Sequence, residues 1–82
     1  MESNGEQGDL VFVLGVSGFQ YVEYKITDYC ENGEMIVENK NYARRIQRSD
    51  VKLVVPWKDM KEYKVIDSCV YKNSTLLLNC LV

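Results

Sequence analysis

Eighty-two residues make room for one domain, and a chain this short buries only about 60–65% of its unfolded surface. With 46% hydrophobic residues, 27% charged residues and a net charge of −2, the composition is that of an ordinary globular chain, which excludes a wholly disordered or collagen-like polymer. The absence of histidine removes the commonest general base and the commonest metal ligand together.

Residues 1–8 are polar and aperiodic, which predicts a loose tail ahead of a single domain over 9–82. Leu10-Val11-Phe12-Val13-Leu14 is a continuous β-prone run, long enough for a strand and too short for a helix. Gly15-Val16-Ser17-Gly18 breaks it. From Tyr21 the pattern alternates, with Val22, Tyr24 and Ile26 on one face and Glu23, Lys25 and Thr27 on the other, as in a half-buried strand. Asn32-Gly33 precedes Met35-Ile36-Val37, and both turn residues accept positive φ at low cost. A two-residue type I′ turn and a hairpin over 21–39 are therefore expected.

Residues 43–48 have some helical propensity but lie among strands and are read as a strand. Ser49-Asp50-Val51 reads as a tight turn feeding Lys52-Leu53-Val54-Val55. Pro56 ends that strand because it has no N–H for the ladder, and residues 57–61 fit one helical turn behind it. Two arms, 63–71 and 76–82, flank Lys72-Asn73-Ser74-Thr75 as a second hairpin. Tyr63, Val65, Cys69 and Tyr71 share a face of the first arm, and Leu76, Leu78, Cys80 and Val82 a face of the second, so the C-terminal strand is expected to dock. Six or seven short strands predict an all-β fold, a small barrel or a bent pair of sheets with an added C-terminal hairpin.

Residues 8–55 run through a Gly-Asp-Leu-Val-Phe-Val opening, a loop, a long strand, an Asn-Gly hairpin and another strand. Arg48-Ser49-Asp50-Val51 then leads into a Lys-Leu-Val-Val strand. That order resembles an SH3-like small barrel of the Tudor or KOW kind, in which a short turn before the last strand closes the barrel. The hairpin over 62–82 is an addition that such barrels do not require. The resemblance implies a binding module rather than an enzyme, on a fold that hosts many unrelated functions.

Charge is unevenly distributed. Residues 1–38 carry a net −7 and residues 39–64 a net +5. Arg44, Arg45 and Arg48, with Lys40 and Tyr42, form the concentrated cationic stretch, whose guanidinium forks suit phosphates or carboxylates. As a strand, 43–48 would send Arg44 and Arg48 one way and Arg45 the other. The alternative role is neutralisation of the acidic hairpin beside it. Nine aromatics exceed what so small a core hides, and Phe19, Tyr21 and Trp57 fall at loop or strand ends where a Tudor-like module builds a groove; Trp57 fits equally well as a cover over the core below Pro56.

Catalytic and metal chemistry find little material. Cys30, Cys69 and Cys80 show no CxxC pair, and without histidine nothing in their spacing asks for a metal. Cys69 and Cys80 read as buried small side chains on adjacent strands, within reach of a disulfide only in an oxidising compartment. No base is placed for a serine or cysteine nucleophile. Glu31 and Glu34 flank a solvated turn, and Gly15-Val16-Ser17-Gly18 lacks the lysine of a phosphate loop and the basic residues of a KH loop. No catalytic residue, metal or cofactor is expected.

Acidic residues stand where a secretory signal needs basic ones, and no apolar run approaches the roughly 18 residues of a membrane span. Asn73-Ser74-Thr75, a glycosylation sequon by pattern, therefore reads as a turn, and a reducing cytoplasmic setting without membrane contact is expected. The leading expectation is a non-catalytic module that binds another protein through Phe19, Tyr21, Tyr42, Arg44, Arg45, Arg48 and Trp57. By analogy it would be a phage or bacterial accessory or inhibitor protein acting on a larger partner. The alternatives are a nucleic-acid-binding barrel using Arg44, Arg45 and Arg48, and a structural subunit that self-assembles through the edge of strand 76–82.

Overall fold

The apolar runs form strands throughout, and in the computed structural model, which describes residues 7–82, they build two antiparallel sheets. In the first, β1 (Leu10–Leu14), β2 (Tyr21–Tyr29), β3 (Met35–Glu38), β4 (Ala43–Ile46) and β5 (Val51–Val55) are ordered β4-β3-β2-β1-β5. The second is a meander of β6 (Tyr63–Ile66), β7 (Cys69–Lys72) and β8 (Thr75–Asn79). A 3-10 turn, Arg48–Asp50, stands directly before β5, and a 3-10 helix, Trp57–Glu62, links the sheets. The fold is all-β. Of the two expected forms it is the pair of sheets: β4 and β5 remain edges, and no strand pairing between them closes a barrel.

Strand β1 explains the continuous apolar run. Val11 and Val13 point into a core with Tyr24, Ile26, Met35, Val37 and Ile46. Phe12 points the other way, into a second core with Val55, Val70, Leu78 and Cys80 between the sheets. A strand covered on both faces has no polar side to alternate with. β5 divides in the same manner with the help of an irregularity. Phe12 pairs with Leu53 and Val13 with Val51, so Lys52 is the extra residue of a bulge. The bulge lets Val51 and Val54 pack against the first core while Leu53 and Val55 belong to the second.

The β2–β3 hairpin is present, but its turn differs from the expected one. The Gly33 N–H donates to the Cys30 carbonyl and the Cys30 N–H to the Glu34 carbonyl, so three residues, Glu31, Asn32 and Gly33, form the loop. Gly33 alone of these has positive φ, at 91°. Asn32 instead caps the loop with its side chain, accepting the Glu34 N–H at 3.1 Å. This is the three-residue hairpin, a type I turn followed by a left-handed glycine. Gly33→Val should still lower stability by more than about 1 kcal/mol, because a β-branched residue resists positive φ. Coincident urea midpoints for variant and parent would contradict that assignment.

The expected arm 63–71 is in fact two strands. Asp67 and Ser68 both have positive φ (52° and 64°), as do Asn73 and Ser74 (49° and 74°), giving two tight turns of the primed type. Docking of the last strand is also narrower than the alternation implied. Val70 pairs with Leu78 and Tyr71 with Leu76, leaving Leu77 as a bulge. Leu78 and Cys80 are buried, while Leu76, Leu77, Leu81 and Val82 are exposed. Of the tail expected over 1–8, residues 1–6 lie outside the described residues, and Gly8 is already tied to β2 through its N–H to the Ile26 carbonyl.

Candidate functional site

Phe19 stands in the loop between β1 and β2, which is closed by Gly15 N–H to Gln20 carbonyl and Gly18 N–H to Gly15 carbonyl bonds. The C-terminal residues run antiparallel to it. Tyr21 N–H donates to the Cys80 carbonyl at 2.7 Å, Gln20 bridges Leu81, and Val82 N–H donates to the Phe19 carbonyl at 3.0 Å. Backbone bonding thus holds loop and tail together while their side chains face solvent. Phe19 is 76% exposed, Val16 69%, Leu81 58% and Val82 77%; the Gln20–Leu81 bridge puts Phe19 and Val82 on one side of the strand pair and Leu81 on the other. Scattered single apolar residues on a surface are ordinary; a group gathered on one backbone framework is the composition of an interface.

The seven residues expected to form a site do not come together. Tyr21 is half-buried and packs against the second core, with the Lys52 ammonium 5.9 Å from its ring centre. Trp57 lies at the other end of β1: its N–H donates to the buried Asp9 carboxylate at 2.9 Å, and its indole passes over Gly8. A five-residue strand spans about 13 Å, so Phe19 and Trp57 cannot wall one small groove. Tyr42 is exposed on the β3–β4 turn, where the Asn39 side chain accepts its N–H.

The arginines separate as well. Arg44 shares the inward face with Ile46, and its guanidinium donates to the Leu14 carbonyl at 3.0 Å and to the Tyr24 hydroxyl at 3.3 Å. It therefore spans the side of the first sheet that strand pairing leaves open. Arg45 points outward and pairs with Glu34 at 3.7 Å, an exposed contact worth about 0–1 kcal/mol. Arg48 is exposed in the 3-10 turn. A continuous phosphate-binding stripe is not formed.

Neutralisation between acidic and basic strands is correspondingly sparse. Lys25 faces Glu38 across β2 and β3, and Arg45–Glu34 is the ion pair found among the described residues. Four cations lie over aromatic rings instead: Arg44 on Tyr24, Lys52 on Tyr21, Lys58 on Trp57 and Lys72 on Tyr63, at 5.4–5.9 Å. Each such contact contributes about 0.5–1 kcal/mol at an exposed site. Aromatic abundance thus serves the lysines and arginines of the fold more than a cage.

Among the described residues no group of three or more acidic, cysteine or histidine side chains converges as a metal site. Cys69 stands opposite Asn79 in the ladder, and the Cys80 N–H bonds to the Ser68 carbonyl, so the two thiols are not directly opposed as the expected strand arms would place them. All three cysteines are free. Burial pushes the Cys80 thiol up from its ordinary range, with Cys69 and then Glu23 adding to the shift.

Sequence reasoning did not reach the exposure of Val16, Leu81 and Val82. The signal available was an apolar C-terminal pair following Cys80, read as core rather than surface. It also missed a groove of about 560 Å3 on the far face of the second sheet, where Lys61, Lys64, Ile66 and Tyr71 meet the Asn73-Ser74 turn. No family model, curated protein or solved structure matches the chain. Among the described residues no helix is long and apolar enough to cross a membrane.

Proposed function

We propose that this chain is a non-catalytic protein-interaction module whose contact surface is the loop-and-tail end centred on Phe19 and Val82, with Leu14 at the end of β1 and Val16 in the adjoining loop. The observation that carries the reading is the exposure of Phe19 and Val82 on the same side of one hydrogen-bonded framework. Such a surface gains from covering by a partner: each fully buried large apolar side chain contributes about 1.5–3 kcal/mol. Phe19 is the anchor, since aromatic residues near the centre of an interface carry a large share of binding energy. In this reading the module works in a reducing cytoplasm as an accessory or inhibitory subunit of a larger partner. Nucleic-acid binding is disfavoured because Arg44 is spent on Leu14 and Tyr24, and Arg45 on Glu34.

The test is affinity capture from lysate of the cells that make the protein, with and without nuclease treatment, comparing the parent with a Phe19→Ser/Val82→Ser double variant. The variant should melt as the parent does, because the Phe19 and Val82 contacts to the fold are made by backbone. A protein held by the parent and lost from the variant is the expected result. Equal retention by both would sink the proposed surface, and loss of all captured material on nuclease treatment would promote the nucleic-acid reading.

A further inference from the structure

Toward the Leu10 end of β1 the two sheets do not close on each other. A cavity of about 160 Å3 opens there, walled by Leu10, Phe12, Val55, Met60, Tyr63 and Val70. Val65, an exposed residue of β6, and Glu23 of β2 also line it. It is half open to solvent: Phe12, Val55 and Val70 are buried at its floor, and Val65 is exposed at its mouth. Its volume, and the apolar Leu10, Met60, Tyr63 and Val65 around its opening, suit one leucine- or phenylalanine-sized side chain.

The cavity is the deep end of a longer track. A depression of about 690 Å3 shares Leu10 and Glu23 with it and passes Lys25 and Glu38 to the turn at Asn39, Lys40 and Asn41. A third, of about 300 Å3, shares Lys25 and Glu38 with the second and reaches Gly8 and Thr27. The register explains the continuity: Phe12 faces Glu23, Leu10 faces Lys25, and Lys25 faces Glu38, so the outward side of β2 is the floor. From Glu23 to Thr27 that floor runs about 13 Å, the length of four residues of extended chain. The rim is fixed, since the Asn39 side chain donates to the Glu23 carbonyl and accepts the N–H groups of Asn41 and Tyr42. Glu23, at the junction, forms no ion pair among the described residues.

We propose that the cavity is the anchor pocket of a peptide groove. It takes one leucine or phenylalanine side chain from an extended segment of a partner, with a lysine or arginine beside it facing Glu23, and the rest of the segment lies along β2. This rests on the reading of the chain as an interaction module but uses a surface other than the Phe19 end.

The experiment is an NMR titration of the isotopically labelled full chain with benzene, and separately with the capped peptides Ala-Leu-Lys-Ala and Ala-Leu-Glu-Ala. Benzene should shift signals of Phe12, Met60, Val65 and Val70 and leave Phe19 and Val82 unmoved. The lysine peptide should bind about two- to fivefold tighter than the glutamate peptide at low salt, the range of an exposed ion pair. Glu23→Lys should reverse that order, and Val65→Phe, which fills the mouth, should abolish the shifts from both kinds of probe. An unmoved spectrum, shifts that survive Val65→Phe, or peptides bound without regard to charge would each overturn the proposal. Were Val65→Phe not to fold, the Glu23→Lys reversal decides alone. The captured-partner comparison with Phe19→Ser/Val82→Ser is independent of these outcomes, so failure of the groove and failure of the loop-and-tail surface are separable.

Discussion

Replacing Phe12 by alanine is expected to lower stability by about 3–5 kcal/mol, read from the shift of the urea midpoint at unchanged slope. Phe12 is 3% exposed and packs where the second sheet meets β1, so its loss empties the centre of the inter-sheet core. For a chain of this length the whole stability is about 4–12 kcal/mol, which leaves the variant close to unfolding. Phe19→Ala supplies the contrast. The same side chain, exposed at the loop, should change stability by no more than about 0.5 kcal/mol. Similar costs at the two positions would mean that the sheets are not packed as described.

Ending the chain at Thr75 should have a comparable effect by another route. Residues 76–82 include most of β8, the buried Leu78 and Cys80, and the tail that pairs with residues 19–21. What remains of the second sheet is β6 and β7, and a lone two-stranded hairpin is marginal in water. Val70 and Phe12 would then be uncovered together. Thermal unfolding followed by circular dichroism should lose its cooperative transition, and the truncated chain should bind a hydrophobic dye. A parental melting curve would instead make β8 a dispensable appendage.

What could be read from the residues, and what could not, divides along physical lines. β2 was legible because its alternation follows a single buried face, and Val22, Tyr24 and Ile26 do pack on the first core. The 3-10 segment after Pro56 was legible because proline stops a ladder and starts a helical turn. The Asp67-Ser68 turn was not, because neither residue is glycine and the pairing of β6 with β7 imposes the left-handed backbone there. Nor were the bulges at Lys52 and Leu77, which depend on neighbouring strands and change which side chains face inward. At the site level, Phe19 was correctly placed at a loop. The destination of Arg44 was hidden because its carbonyl acceptor at Leu14 lies 30 residues away in sequence. Tyr21 and Trp57 were drawn together only by residue type, whereas the fold sets them at opposite ends of β1.

The double duty of β1 also bears on how the chain matures during synthesis. A domain folds as a unit, and although the β1–β2–β3–β4 meander needs only local hairpins, its first strand β1 must be covered on both faces. The outward side of β1, with Leu10 and Phe12, waits for residues made much later: Val55, Val70, Leu78 and finally Cys80. Until residues 70–80 have emerged, the side of β1 that carries Leu10 and Phe12 therefore has no partner to cover its greasy strip. That interval is the one in which a chaperone would have most to protect, and in which crowded ribosomes would make the strongest demand on the speed of the closing hairpins.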